Sequence, residues 1–115
     1  MNDTASQLYM LLAFAVGYAT SSQWEKTIET GKKAERLSYD LKAYLRWEES
    51  CAIQGYAYGV QGKFTESMKK YGKSYQSAMT RADPHLTSIW GYAVATNYLK
   101  LQKVEEGKKN NFSCA

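Results

Sequence analysis

The sequence predicts an all-α fold, a solenoid of three stacked helix–turn–helix units with about six helices. Three observations predict it. Apolar residues recur at helical spacing along nearly the whole chain. No run of alternating β-branched residues is long enough for a strand. The chain also aligns with itself when shifted by 40 residues. Its 115 residues make room for a single domain, 1–115. A chain of that length buries enough surface to fold without a disulfide or a metal.

The elements follow in order. Segment one runs from about Asp3 to Ala19, and the Asp3 carboxylate can accept from the first free amides of the helix. Segment two runs from about Gln23 to Leu37, with Ser22 as its cap and Trp24, Ile28 and Ala34 along one side. Segment three runs from about Asp40 to Val60, capped by Asp40. Segment four starts after Gln61-Gly62, and its Phe64, Met68, Tyr71, Tyr75 and Ala78 form one continuous stripe. Segment five opens with Asp83-Pro84, a start signal because proline's missing amide would have no helical partner there. Segment six, about Lys103 to Asn110, is short and polar. It is too short to cover segment five, so Trp90 or Tyr98 is expected to stay partly exposed.

The self-alignment places like residues at like positions. Ala15, Gly55 and Ala95 coincide and are all small; Tyr18, Tyr58 and Tyr98 coincide and are all tyrosine. Trp24, Phe64 and Val104 coincide where each second helix begins, and Thr27, Ser67 and Gly107 are again small. Ala34 and Ser74 match one turn further on. Small residues let two helices approach where they cross, and the tyrosine fills the space alongside. The repeat units are expected at about 3–39, 40–82 and 83–115.

This pattern resembles the tetratricopeptide repeat. The clearest stretch is Gly55 to Ala78, with Tyr58, Gly62 in the turn, Phe64, Ser67, Tyr71 and Ser74. The third unit is similar in Ala95, Tyr98, Leu101 and Val104 to Gly107; the first departs at Gly31, where the family has an aromatic. The usual period is 34, so the 40-residue spacing is closer to the extended repeats of bacterial peptide-sensing regulators. The resemblance implies a right-handed α-solenoid in which the first helix of each unit lines a concave face.

Carried over residue by residue, that face holds Tyr9, Leu12, Val16 and Ala19, then Glu49, Ala52, Tyr56 and Gly59, then Ile89, Tyr92, Thr96 and Leu99. The resemblance implies a groove that is apolar and aromatic with one carboxylate. Family members that clamp acidic chaperone tails use Lys and Asn on this face, and the matching positions here lack them, with Lys100 at best a marginal match. Such a groove suits an amphipathic helix or an extended apolar peptide. The same residues could instead meet another copy of the chain or belong to the core, and all three readings stay open from the sequence.

Composition excludes much else. A single histidine cannot build a paired-histidine zinc site, and His85 just after Pro84 is expected to face solvent rather than act as a base. Glu48-Glu49 and Glu105-Glu106 are adjacent on a helix, so the members of each pair diverge. No phosphate-binding glycine loop occurs. No enzyme activity, cofactor or metal is therefore expected. A net charge of +4 is mild, and the clusters Lys32, Lys33, Arg36 and Lys69, Lys70, Lys73 have glutamates close by. Cys51 reads as a small core residue and Cys114 as an isolated thiol, which fits a reducing compartment. Leu8 to Ala19 lacks the basic residues that precede a signal-peptide core and is too short to span a bilayer. A cytoplasmic location without a membrane partner is expected. The function expected is a protein–protein interaction module, a small adaptor or chaperone holding an apolar or amphipathic segment of a partner. A structural homo-oligomer, a homodimer among them, is the alternative, and a nucleic-acid-binding helical repeat the more distant one.

Overall fold

A computed structural model describes the backbone of residues 3–113 and the side chains of residues 3–109. It contains five helices: α1 (Thr4–Thr20), α2 (Trp24–Asp40), α3 (Tyr44–Val60), α4 (Phe64–Thr80) and α5 (Pro84–Ser113). Their starts fall 20 residues apart, and the first four are 17 residues each. Each helix packs on the next, and α1 also touches α3. The result is an elongated stack of 65 × 32 × 19 Å.

The helix count corrects the expectation of six. No break separates segment five from segment six, and α5 is one helix of 30 residues. The reason is local. Gln102 stands where Gly62 ends the preceding unit, and the stretch Leu99 to Glu106 is made of good helix formers with no residue suited to reverse the chain. After about residue 100, α5 has run the length of α4, and its remainder extends past it.

All four turns have one geometry. After each helix the chain takes a single residue into the left-handed region: Ser22, Lys42, Gly62 and Ala82, at φ of 60°, 57°, 79° and 57°. The amide of that residue and the next one bond back to helix carbonyls, as in Ala82 N to Met79 O at 3.0 Å and Asp83 N to Ala78 O at 3.0 Å. These are Schellman turns. Two expected caps are corrected by them. Ser22 is the turn residue rather than the cap of α2, whose N-cap is Gln23. Asp40 is the last residue of α2, and α3 begins only after Ala43. Asp3 and Asp83 do cap as expected, accepting from Ala5 N and Leu86 N at 3.0 Å each.

The core is built from small and polar residues. Ala15, Ala34, Ala57 and Ala78 are fully buried, and the largest fully buried side chains are Gln54 and Glu48. Glu48, on α3, accepts from Arg81 Nε and Nη2 at 2.7 and 2.8 Å, Ser77 Oγ at 2.6 Å and Trp90 Nε1 at 3.4 Å. One carboxylate thus ties α3 to α4, to the turn after it and to α5. Glu35, on α2, accepts from Lys70 Nζ at 2.8 Å and Gln54 Nε2 at 2.7 Å, with Lys73 Nζ at 3.4 Å. Burial works to raise the pKa of Glu35, but the bonds from Lys70 and Gln54 and the charges of Lys70 and Lys73 outweigh it and hold the carboxyl below its ordinary range. Gly31 leaves room for Gln54, since a Cβ there would lie 2.7 Å from Gln54 Cγ. That contact explains why no aromatic stands at Gly31.

Candidate protein-binding cleft

Small side chains in the layers leave large ones at the surface. Tyr9, Tyr56, Ile89 and Tyr92 are all exposed. Several of them converge on a cleft of about 460 Å³ between α3 and α5. Tyr56 and Val60 form one wall, and Ile89, Tyr92 and Thr96 form the other. Ser67 and Tyr71 of α4 form the floor, together with Trp90.

The floor depends on a glycine. A Cβ at Gly55 would come within 2.9 Å of Tyr71 Cδ2, so the Tyr71 ring lies flat against α3 only because that position is bare. Tyr71 and Trp90 stack at 6.4 Å with a 31° tilt. Trp90 is fixed in turn by its bond to Glu48. Burial, with a contribution from Tyr56, pushes the Tyr71 phenol up to about 12, so it stays neutral. Trp24 meets Tyr56 edge to face at 5.9 Å and props the α3 wall. Lys100 and the nearly buried Asn97 close one end. Lys100 Nζ lies 5.9 Å from the Phe64 ring centroid. Among the described lining residues it is the one charged group.

The groove residues expected from the sequence fall into three groups. Tyr56, Ile89, Tyr92 and Thr96 come together along the cleft. Tyr9, Leu12 and Val16 lie on α1, outside it; Tyr9 and Val16 are exposed, and Arg46 sits 5.2 Å above the Tyr9 ring. Glu49 is bonded by Arg46 through both carboxylate oxygens, at 2.8 and 2.9 Å. Of the remaining four, Gly59 lines the cleft beside Tyr56, while Ala19, Ala52 and Leu99 depart from the expectation, Ala19 being buried on α1. Ala52 is buried between helices and presents no surface. Leu99 is exposed but does not line the cleft.

Sequence reasoning missed Tyr71 and Trp90 as parts of the cleft and gave Lys100 only a marginal place on its face. Tyr71 and Trp90 sit on apolar stripes and look like core; only the small residue opposite, Gly55, hints that one ring is laid open. Lys100 follows Thr96 by one helical turn, which is the signal that brings it to the cleft.

A larger concavity, about 880 Å³, runs along Tyr44, Trp47, Tyr75, Ser77 and Arg81. Its Arg81 and Ser77 are already bonded to Glu48, and none of the expected groove residues reaches it. The basic clusters are partly neutralised as well, with Lys70 and Lys73 on Glu35 and Lys33 Nζ 3.8 Å from Glu29. The Cys51 thiol is pushed up to about 12 by burial first and by the Glu35 charge second, so it remains protonated. Cys114 lies outside the described residues. Among the described residues no helix is long and apolar enough to cross a membrane.

The sequence matches no protein-family model. It matches no curated protein either. The structure is similar to the crystal structure of the TPR domain of Arabidopsis FLU, with a TM-score of 0.82 and 18% identity over 96% of this chain and 93% of that one. At that identity the likeness speaks to fold, and it does so across both chains nearly end to end. Five antiparallel helices in 40-residue register and this neighbour lead to one statement: the chain has the tetratricopeptide-repeat fold.

Proposed function

We propose that this protein is an adaptor or chaperone-like module that holds an apolar or amphipathic segment of a partner protein in the cleft between α3 and α5. Tetratricopeptide-repeat domains serve in general as scaffolds for protein partners, and the carrying observation here is chemical. A cleft walled by exposed Tyr56, Ile89 and Tyr92, floored by neutral aromatics and ended by Lys100, offers area to apolar side chains and one cation to a carboxylate. The preferred segment is a short amphipathic helix with an acidic residue at the end that meets Lys100. A non-catalytic role and a cytoplasmic location belong to the same reading, supported by the buried, unpaired Cys51.

Selection of peptides from a displayed random library tests it. Wild-type protein is expected to enrich apolar, helix-forming peptides carrying Asp or Glu. Those peptides should bind the Tyr56→Glu, Ile89→Glu double variant at least about tenfold more weakly. Both positions are exposed, so the variant should keep its helical circular dichroism. Enriched peptides that bind the variant as tightly as wild type would remove the cleft from the function.

A further inference from the structure

We propose that the outer face of α5 is a self-association surface, on which a second copy of this chain lays its own α5 antiparallel about a two-fold axis. The inference starts from the 40-residue register, and Tyr92, which also edges the cleft, is the residue the two surfaces share. In α1, Leu8, Ala15 and Ala19 are buried. Their equivalents in α3 are Glu48, Gly55 and Gly59, which meet α4 through Ser77, Tyr71 and Ser67. Their equivalents in α5 are Ser88, Ala95 and Leu99, and all three are exposed. Tyr92 between them is 76% exposed. Among the described residues α5 therefore presents a surface shaped to receive a helix, with no described helix upon it.

The residues on that face choose the occupant. Ser88, Tyr92, Ala95 and Leu99 are spaced four, three and four apart, the spacing of a straight helix seam. They alternate small, large, small, large. Placed antiparallel with the axis between residues 93 and 94, the row complements itself. Tyr92 lies on Ala95 of the second copy and Leu99 on Ser88, and the symmetry makes each contact twice. Along α5 the same register opposes no two like charges. A parallel pair would instead set Tyr92 on Tyr92 and leave a gap at Ala95. The interface is one helix pair, at the small end of stable interfaces, so the dimer is expected at micromolar concentrations rather than below.

Sedimentation equilibrium of the full chain from about 1 to about 200 µM tests this. The mass is expected to climb from 13.0 kDa toward twice that value and no further. Ala95→Arg, at an exposed position, should hold it at the monomer value with unchanged circular dichroism. Tyr56→Glu, in the cleft and away from the seam, should dimerise as wild type does, which separates failure here from failure of the cleft reading. The pairing is read by oxidation in a Cys114→Ser background. A mixture of Tyr92→Cys and Ala95→Cys chains should cross-link more than either alone. A monomer at 200 µM, a dimer indifferent to Ala95→Arg, preferential Ala95→Cys self-linking, or growth beyond a dimer would each overturn the proposal.

Discussion

The first two hairpins and the final helix carry the same kinds of residue at the same register, yet they fare differently. Positions 15, 55 and 95 are all small. Ala15 and Gly55 are buried, and Ala95 is exposed. Positions 18, 58 and 98 are all tyrosine; Tyr18 and Tyr58 are half-buried, and Tyr98 is 52% exposed. The difference lies in the neighbour. α1 and α3 each have a following helix folded back over them, whereas α5 runs on straight. Burial in a repeat array belongs to the interface between units, so a residue's place in the pattern sets what it could bury and the next helix decides whether it does. Among the described residues no helix folds back over α5, and there the core row becomes surface.

The sharpest way to break the comparison is at positions 48 and 88. Glu48→Ala should destabilise the fold by about 3 kcal/mol in urea unfolding, since it strands Arg81, Ser77 and Trp90 around a lost carboxylate. The figure sits low in the range for a broken buried pair because Arg81 keeps contact with water. Ser88→Ala, at the equivalent position, should stay within about 0.5 kcal/mol of wild type. Equal losses at the two positions would mean that α5 carries a cover in the isolated chain.

The glycines give a second pair, of intermediate size and opposite sign. Gly55→Ala pushes a Cβ into the Tyr71 ring and should cost about 1–3 kcal/mol. It should also tip Tyr71 into the cleft and weaken peptide binding. Gly17 lies on the outer side of α1 with nothing within 4 Å of an added Cβ, so Gly17→Ala should gain about 0.5–1 kcal/mol from helix propensity alone. Thermal melts of the two single variants read both effects.

Much of this was legible in the sequence, and the failures have a physical pattern. The repeat, the helix starts after Asp3 and Asp83, and the small residues at helix crossings all follow from side chains whose preference is local and strong. Tyr56, Ile89, Tyr92 and Thr96 could be grouped because helical spacing alone sets one face. The starts of α2 and α3 were misread because Ser22 and Asp40 look like caps, while the turns are closed by backbone bonds that use no side chain. The missing sixth helix was predicted because a register match says where a turn would fall, not whether the chain can make one. Ala52 and Leu99 were misplaced for a related reason, since burial depends on which helix lies alongside.

The turns supply the smallest and cleanest contrast. All four place one residue at positive φ, but only Gly62 is a residue suited to it. Ser22, Lys42 and Ala82 carry a Cβ against the following carbonyl, a strain of about 1–2 kcal/mol each. Glycine would relieve that strain and return part of the gain as extra freedom in the unfolded chain. Ala82→Gly should therefore stabilise by about 0.5–1 kcal/mol, and Gly62→Ala should lose about as much. Neither residue is in the cleft or on the α5 seam, so peptide binding and dimer mass should not move. If Ala82→Gly destabilised instead, the turn before α5 would differ in kind from the turn before α4. The equivalence of the third unit's entry with the second's would then fail at its first residue.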